Sequence, residues 1–223
     1  MSTSSSSGPA RAEDAGSVDP RVVRSRAVIV EAALARFLEH GYLATNLEDI
    51  ARQADVSKRT IYNNFGGKEQ LFREILTEAL DTAERYSRDV AAGLGTTDHD
   101  DVEDQLREAG LTLARAVLGG RVVPLRRLLI GEAARFPELA HDYYERAPGR
   151  VLAALADALR RFDRRGLLRV GDAAIAAEHF AFLVMGASLD RALFDAGGAP
   201  EPAEVVDARA HAGIDAFLRA YSA

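Results

Sequence analysis

From residue 57 to residue 68 the chain places Ser57, Lys58, Arg59, Thr60, Tyr62, Asn63 and Lys68 in one short run. Hydroxyls, two kinds of cation, a phenol and an amide all form hydrogen bonds with anionic oxygens and with polar ring edges. No member of the run pairs a nucleophile with a base. The chemistry open to it is therefore recognition of a polyanion, not bond making. Elsewhere, Ser188 and Asp190 lack the G-x-S-x-G setting of a hydrolase nucleophile. Gly119-Gly120 and Gly197-Gly198 read as helix ends, not as a phosphate loop. The absence of cysteine excludes thiol catalysis, thiolate metal sites and a disulfide scaffold. His141 with Asp142 and Glu145, Glu178 beside His179, and His99 among Asp98, Asp100 and Asp101 have no metal-site spacing of the HExxH kind, so they read as solvated charge. No enzyme activity, metal or cofactor is expected.

The elements that must position the run are helical. Ser57 can cap a helix reaching about Phe65, and Gly66-Gly67 breaks the chain after it. Before it, Thr45-Asn46-Leu47-Glu48 reads as a capping box opening a helix to Ala54, with Asp55-Val56-Ser57 as the turn. Ile50, Ala51, Val56 and Ile61 are spaced to lock these two short helices together, leaving Lys58, Arg59, Thr60, Tyr62 and Asn63 outward. The Thr45 and Ser57 hydroxyls, at helix N-termini, suit phosphate oxygens. A longer helix precedes the pair, starting at Asp19-Pro20, ending at Gly41 and carrying Val23, Ala27, Val30, Leu34 and Phe37 on one face. Another follows from Lys68 to about Ala92, with Phe72, Ile75, Ala79, Ala83, Tyr86 and Val90 as its stripe. Two short helices about a tight turn, braced before and after, form a helix-turn-helix, whose second member enters the DNA major groove.

Charge agrees with this division. Residues 21–68 carry net +3, whereas residues 69–223 carry −7 in a chain of 223 residues and net −6. A basic module on an acidic body fits one polyanion-binding domain. Residues 1–18, rich in Ser, Gly and Ala, read as a disordered arm. Past a polar loop at 93–101, helices are expected at about 102–118, 121–134, 137–166, 172–195 and 202–221, with Pro148 splitting the third of these near Ala147. The unbroken apolar stretch Phe180–Ala187 is too short to span a bilayer, and the N-terminus has no signal-peptide pattern. A cytoplasmic protein without a membrane partner is the expectation.

Gly41-Tyr42, Thr45, Ile50-Ala51 and the continuous run Ala54-Asp55-Val56-Ser57-Lys58-Arg59-Thr60-Ile61-Tyr62-Asn63-Asn64-Phe65-Gly66-Gly67-Lys68-Glu69-Gln70-Leu71-Phe72 resemble the DNA-binding domain of the tetracycline-repressor (TetR/AcrR) family over residues 21–72. The resemblance implies a dimeric one-component regulator that reads a double-stranded DNA operator with its N-terminal domain and binds a small-molecule effector in its body. It assigns DNA contacts to Thr45, Ser57, Lys58, Thr60, Tyr62 and Lys68, the last reaching a phosphate. Asp55 and Arg59 stand where the family often has Gly. Aspartate tolerates a positive φ at such a turn, and Arg59 can grip a guanine edge or hold a phosphate. Asn63-Asn64 replaces an aromatic-His pair common in relatives. Farther on, the run from Arg126 to Ala140 with Tyr143-Tyr144 resembles the AefR-type ligand-binding domain over roughly 121–195.

The expected architecture is thus all-α: an arm (1–18), a three-helix DNA-binding domain (19–67) and a larger helical effector-binding and dimerisation domain (68–223). Leu113, Phe136, Tyr144, Phe182 and Met185, large side chains on central helices, are the candidate effector contacts. The apolar segments within 172–195 and 202–221, the latter with Val206, Ala210, Gly213, Phe217 and Tyr221 on one stripe, are expected to build a four-helix homodimer interface. Small residues Gly186, Ala187 and Gly213 permit close approach there. A regulator without an effector, controlled by a protein partner, is the alternative left open.

Overall fold

The computed structural model describes residues 20–94, 101–195 and 200–223. Ten α-helices follow in order among them: α1 (Pro20–Ala44), α2 (Leu47–Gln53), α3 (Lys58–Phe65), α4 (Lys68–Gly93), α5 (Val102–Leu118), α6 (Val122–Gly131), α7 (Pro137–Tyr144), α8 (Arg150–Arg164), α9 (Ala173–Phe194) and α10 (Ala203–Tyr221). A π-helical turn, Glu145–Gly149, joins α7 to α8 and contains Pro148, the residue expected to split that segment. Among the described residues there is no strand, only an isolated bridge between Leu168 and Ser222. The expected arm at 1–18, the Asp19 cap, most of the 93–101 loop and Gly197-Gly198 lie outside the described residues.

Local signals set most helix ends. Gly41, at φ 75°, breaks α1 one turn before its end, and Gly66, at φ 77°, closes α3 in the left-handed conformation that a Cβ disfavours. The α2 cap differs from expectation. Asn46, not Thr45, is the N-cap, its Oδ1 accepting from the Asp49 backbone N–H at 2.8 Å while its Nδ2 donates to the Asp49 carboxylate. Asparagine competes with threonine for this role one residue later, and the pairing Thr45–Glu48 is never made.

Two apolar clusters hold the chain. One joins α5, α8, α9 and α10 around Leu106, Leu159, Phe162, Phe180, Ile214 and Phe217, which are all fully buried. The other is built by α1–α4 around Ile29, Phe37, Ile50, Ile61, Leu71 and Phe72. It extends past residue 67 to take in Leu125, Leu128 and Leu129 of α6 with Phe136, Tyr143 and Ala147. The expected α1 face holds at Val30, Leu34 and Phe37 and fails in the first turns, where Val23 is 54 % exposed and Ala27 is also outside, while Ile29 and Ala33 point inward. Either stripe satisfies a helical period; the neighbours choose. The α4 stripe holds at Phe72 and Ile75, which are buried. The side chains of Ala83, Tyr86 and Val90 lie outside the described set.

Farther along, α4 is tied to the body by charge. Arg146, in the π turn, meets Glu84 at 2.9 Å, Asp142 at 3.5 Å and Asp81 at 3.6 Å. The Arg146 hydrogen bond holds the Glu84 carboxyl below the usual range. Among the described helices, α9 is long and apolar enough to cross a membrane (22 residues, mean hydropathy 1.3), although no such segment was expected. The fold buries 44 % of that window, and α9 packs against α5, α8 and α10 as a core helix does.

Candidate nucleic-acid interface

The outer face of α3 is the candidate surface, and its rigidity comes from below. Ile61 and Phe65 are buried, each adding on the order of 1.5–3 kcal/mol of apolar burial. With Ile50, Ala51, Ala54 and half-buried Val56 they fix α3 against α2, as the spacing predicts. Asp55 takes φ 52° in the intervening turn, a left-handed geometry that its short polar side chain tolerates. The Ser57 Oγ accepts from the Thr60 backbone N–H at 3.0 Å and lies 2.8 Å from the Thr60 hydroxyl, capping the helix.

Arg26 braces the other end of α3. Its guanidinium donates to the Asn64 carbonyl at 2.6 Å and to Glu74 at 2.5 Å, and it lies 4.4 Å from the Phe65 ring centroid. One side chain from α1 thereby joins the end of α3 to α4. Sequence reasoning counted Arg26 only as positive charge; its i, i+3 relation to Ile29 on the inward face is the signal that locates it.

Ser57, Lys58, Arg59, Tyr62 and Asn63 face solvent, with Thr60 half-buried. Arg59 and Asn63 have no hydrogen-bond or ion-pair partner among the described residues, so both are free to engage a ligand. Lys58 is paired with Glu48 of α2, a contact that raises the lysine pKa and lowers that of the carboxylate. Its ammonium also lies 6.0 Å from the Tyr62 ring centroid. The Tyr62 ring is 48 % exposed.

Two residues expected at this surface are turned inward. Thr45 is buried, and its hydroxyl donates to the Gly41 carbonyl at 2.8 Å and the Arg36 carbonyl at 3.1 Å. Lys68 donates to the carbonyls of Tyr42 and Thr45 at 2.7 and 2.8 Å, and its ammonium sits 4.3 Å from the Tyr42 ring centroid. Burial, reinforced by nearby Arg135, lowers its pKa. The orphan carbonyls at the end of α1 need donors, and Lys68 supplies them from the start of α4. Both residues shape the α1–α2 corner in this structure.

The five candidate effector contacts do not converge. Leu113 and Met185 are buried in the C-terminal cluster, whereas Phe136 belongs to the N-terminal one. There Phe136 meets Tyr42 edge-on at 5.0 Å and Phe72 at 5.4 Å, forming an aromatic joint between body and reading head. Tyr144 and Phe182 are 55 % and 61 % exposed, while Tyr143 and Phe180 take the interior places beside them. Residues one or two apart on a helix point about 100° or 200° away from each other, and the choice between them is made by packing. The expected α10 stripe is likewise spent inside the chain: Val206, Ala210, Gly213 and Phe217 are buried, and the Tyr221 hydroxyl meets the His179 Nδ1 at 2.7 Å. On α9, Gly186 interrupts the helix at φ 55°. No group of His, Asp and Glu able to hold a metal occurs among the described residues. A cleft of about 750 Å³ opens between α1 and α6, lined by none of the five candidates.

Residues 29–75 match the family model described as bacterial regulatory proteins of the tetR family, and residues 104–223 match the AefR-like transcriptional repressor C-terminal domain. The probable acrEF/envCD operon repressor of Escherichia coli K12 is 37 % identical over 86 residues, covering 39 % of this chain and 37 % of that protein. The chain thus aligns with little more than a third of that relative's length. The regulator YvkB of Bacillus subtilis is 25 % identical over 163 residues, covering 73 % of this chain and 80 % of that one. Among solved structures, a TetR-family transcriptional regulator from Mesorhizobium loti superposes with TM-score 0.78 at 30 % identity, covering 92 % of this chain and all of that one. The flavonoid-responsive regulator FrrA superposes with TM-score 0.62 at 27 % identity, covering 90 % and 98 %. With both halves of the chain matched and α3 presented over its own core, the protein belongs to the TetR family of transcriptional regulators, DNA-binding helix-turn-helix proteins that are not enzymes.

Proposed function

We propose that the chain is a homodimeric repressor that holds a pseudo-palindromic operator and releases it on binding a small molecule. Residues 19–67 read the DNA, and residues 68–223 bind the effector and dimerise. The observation that carries this reading is the outward face of α3, where Lys58, Arg59, Tyr62 and Asn63 project from a helix capped and packed on its other side. Two such helices about 34 Å apart fit successive major grooves. Phosphate contacts from Ser57, Lys58, Thr60 and Tyr62 supply affinity, and Arg59 with Asn63 supplies sequence selection. Thr45 and Lys68 act one step back, by holding the corner from which α2 and α3 project. The dimer surface is the outer side of α9, where Ile175, Phe182 and Leu183 are exposed. Relatives named as an operon repressor and as a flavonoid-responsive regulator support repression and effector control. Effector and operator, preferring different placements of α4, weaken each other's binding by one common factor. A regulator of this kind works in the cytoplasm, beside the chromosome.

Site selection from random duplexes tests the reading. The wild type is expected to enrich a two-fold symmetric motif, and Arg59→Ala to lose preference at one position of each half-site. Light scattering is expected to give twice the 24.0 kDa chain mass. A monomer that enriches no motif would overturn the proposal.

Lys68 gives a separate expectation. Lys68→Met should weaken binding to all duplexes and lower the melting temperature, with the salt dependence of DNA binding unchanged. A direct phosphate ligand would instead reduce the salt slope by about 1 when removed. Titrations at several salt concentrations separate the two roles.

A further inference from the structure

The cleft of about 750 Å³ between α1 and α6 is in the size range of small-molecule sites. Its floor is apolar: Leu34 and Leu38 come from α1, Pro124 and Leu128 from α6. The charges around it are unequally available. Glu31 and Arg121 neutralise each other through hydrogen bonds of 2.6 and 2.8 Å. The other lining carboxylates also have cationic neighbours, Glu132 with Arg135 at 3.7 Å and Glu39 with Arg36 at 3.9 Å.

Arg127 is left over. Its Nη1 donates to the Asp195 carbonyl at 3.1 Å, and its Nε is buried without an acceptor. No carboxylate pairs with it among the described residues. A guanidinium without a counter-ion beside apolar surface favours an anion, and its planar fork matches a carboxylate. The two walls also belong to different modules, since α1 contributes from the matched 29–75 segment and α6 from the matched 104–223 segment. A molecule seated here touches reading head and body at once.

We propose that this cleft binds a small monocarboxylate with an apolar body, its anion on Arg127 and its hydrocarbon between α1 and α6, and that occupancy resets the angle between the two modules. The second half rests on the reading of the chain as an effector-responsive repressor; the first half does not.

The chain contains no tryptophan, so Leu38→Trp places a sole indole at the cleft wall. Decanoate, added below its micelle concentration, is expected to shift that emission saturably. Decanol, with the same tail and no charge, is expected to bind about tenfold more weakly. Arg127→Gln should erase the preference for the acid, in the reporter background and in calorimetric titrations of the chain without tryptophan. Absence of saturable binding, equal affinity for acid and alcohol, or an unchanged affinity in Arg127→Gln overturns the site. Arg127-dependent decanoate binding that leaves retention of the selected duplex unaltered upholds the site and overturns its coupling to DNA. A protein that retains no duplex but binds decanoate through Arg127 upholds the site and refutes the repressor reading alone.

Discussion

Replacing Lys58 and Arg59 together by glutamate is expected to lower duplex affinity by about a hundredfold or more at every sequence, equivalent to roughly 2.7 kcal/mol. Both side chains are exposed in the first turn of α3 and neither contributes to the apolar cluster beneath. The double change removes two cations and adds two anions where the phosphate wall must approach. The fold should survive it, because acidic residues in a first helical turn complement the helix dipole. The ion pair lost with Glu48 is an exposed one, and such pairs contribute little to stability. Anisotropy titrations with the selected duplex give the affinity, and thermal melting followed by circular dichroism gives the fold. A loss below threefold with an intact melting transition would show that DNA approaches from elsewhere.

Gly213→Val is expected to be the most damaging single substitution in the body. A Cβ at Gly213 would lie 2.1 Å from the Leu183 carbonyl oxygen and 2.9 Å from the Val184 nitrogen. Both atoms are backbone, so no flexible side chain can yield. The helices α9 and α10 must separate, opening the cluster around Phe180, Ile214 and Phe217. Overpacking of this kind costs about 1–3 kcal/mol or more, and each kcal/mol lowers the melting temperature of a chain this size by about 2–4 °C. Gly131→Ala is the control, since a Cβ there meets nothing within 4 Å. Melting temperatures that fall equally in the two variants would mean that the close α9–α10 approach is not required. The same contact bears on assembly. Because Gly213 is spent inside the chain against α9, it is not available for close approach of a second copy.

The reading head was largely legible before any coordinates. Ser57 as cap, Gly66 as left-handed end, the tolerated Asp55 turn and the burial of Ile50 and Ile61 all follow from residues close together in the chain. Pro148 marked its break for the same reason. The body was legible as helices but not as surfaces. Tyr144 and Phe182 were selected by size, yet Tyr143 and Phe180 occupy the interior. Val23 and Ala27 fit a helical stripe as well as Ile29 and Ala33 do, and only the inner ones meet α2 through α4. The effector candidates are scattered over two clusters and the surface for this reason, and the cleft beside Arg127 could not be anticipated from either wall alone.

By itself, then, the order of residues determined where helices begin and end, that two short ones form a reading unit, and which family pattern they follow. Caps, glycine turns and proline breaks act over about four residues, and such distances are written in the chain directly. Tertiary structure alone decided which side of each helix is covered. It turned Lys68 toward carbonyls some two dozen residues earlier, spent Gly213 on Leu183, and left Arg127 without a paired carboxylate among the described residues. Those outcomes depend on segments that meet only after folding, and desolvation and packing select among faces that local periodicity leaves equivalent.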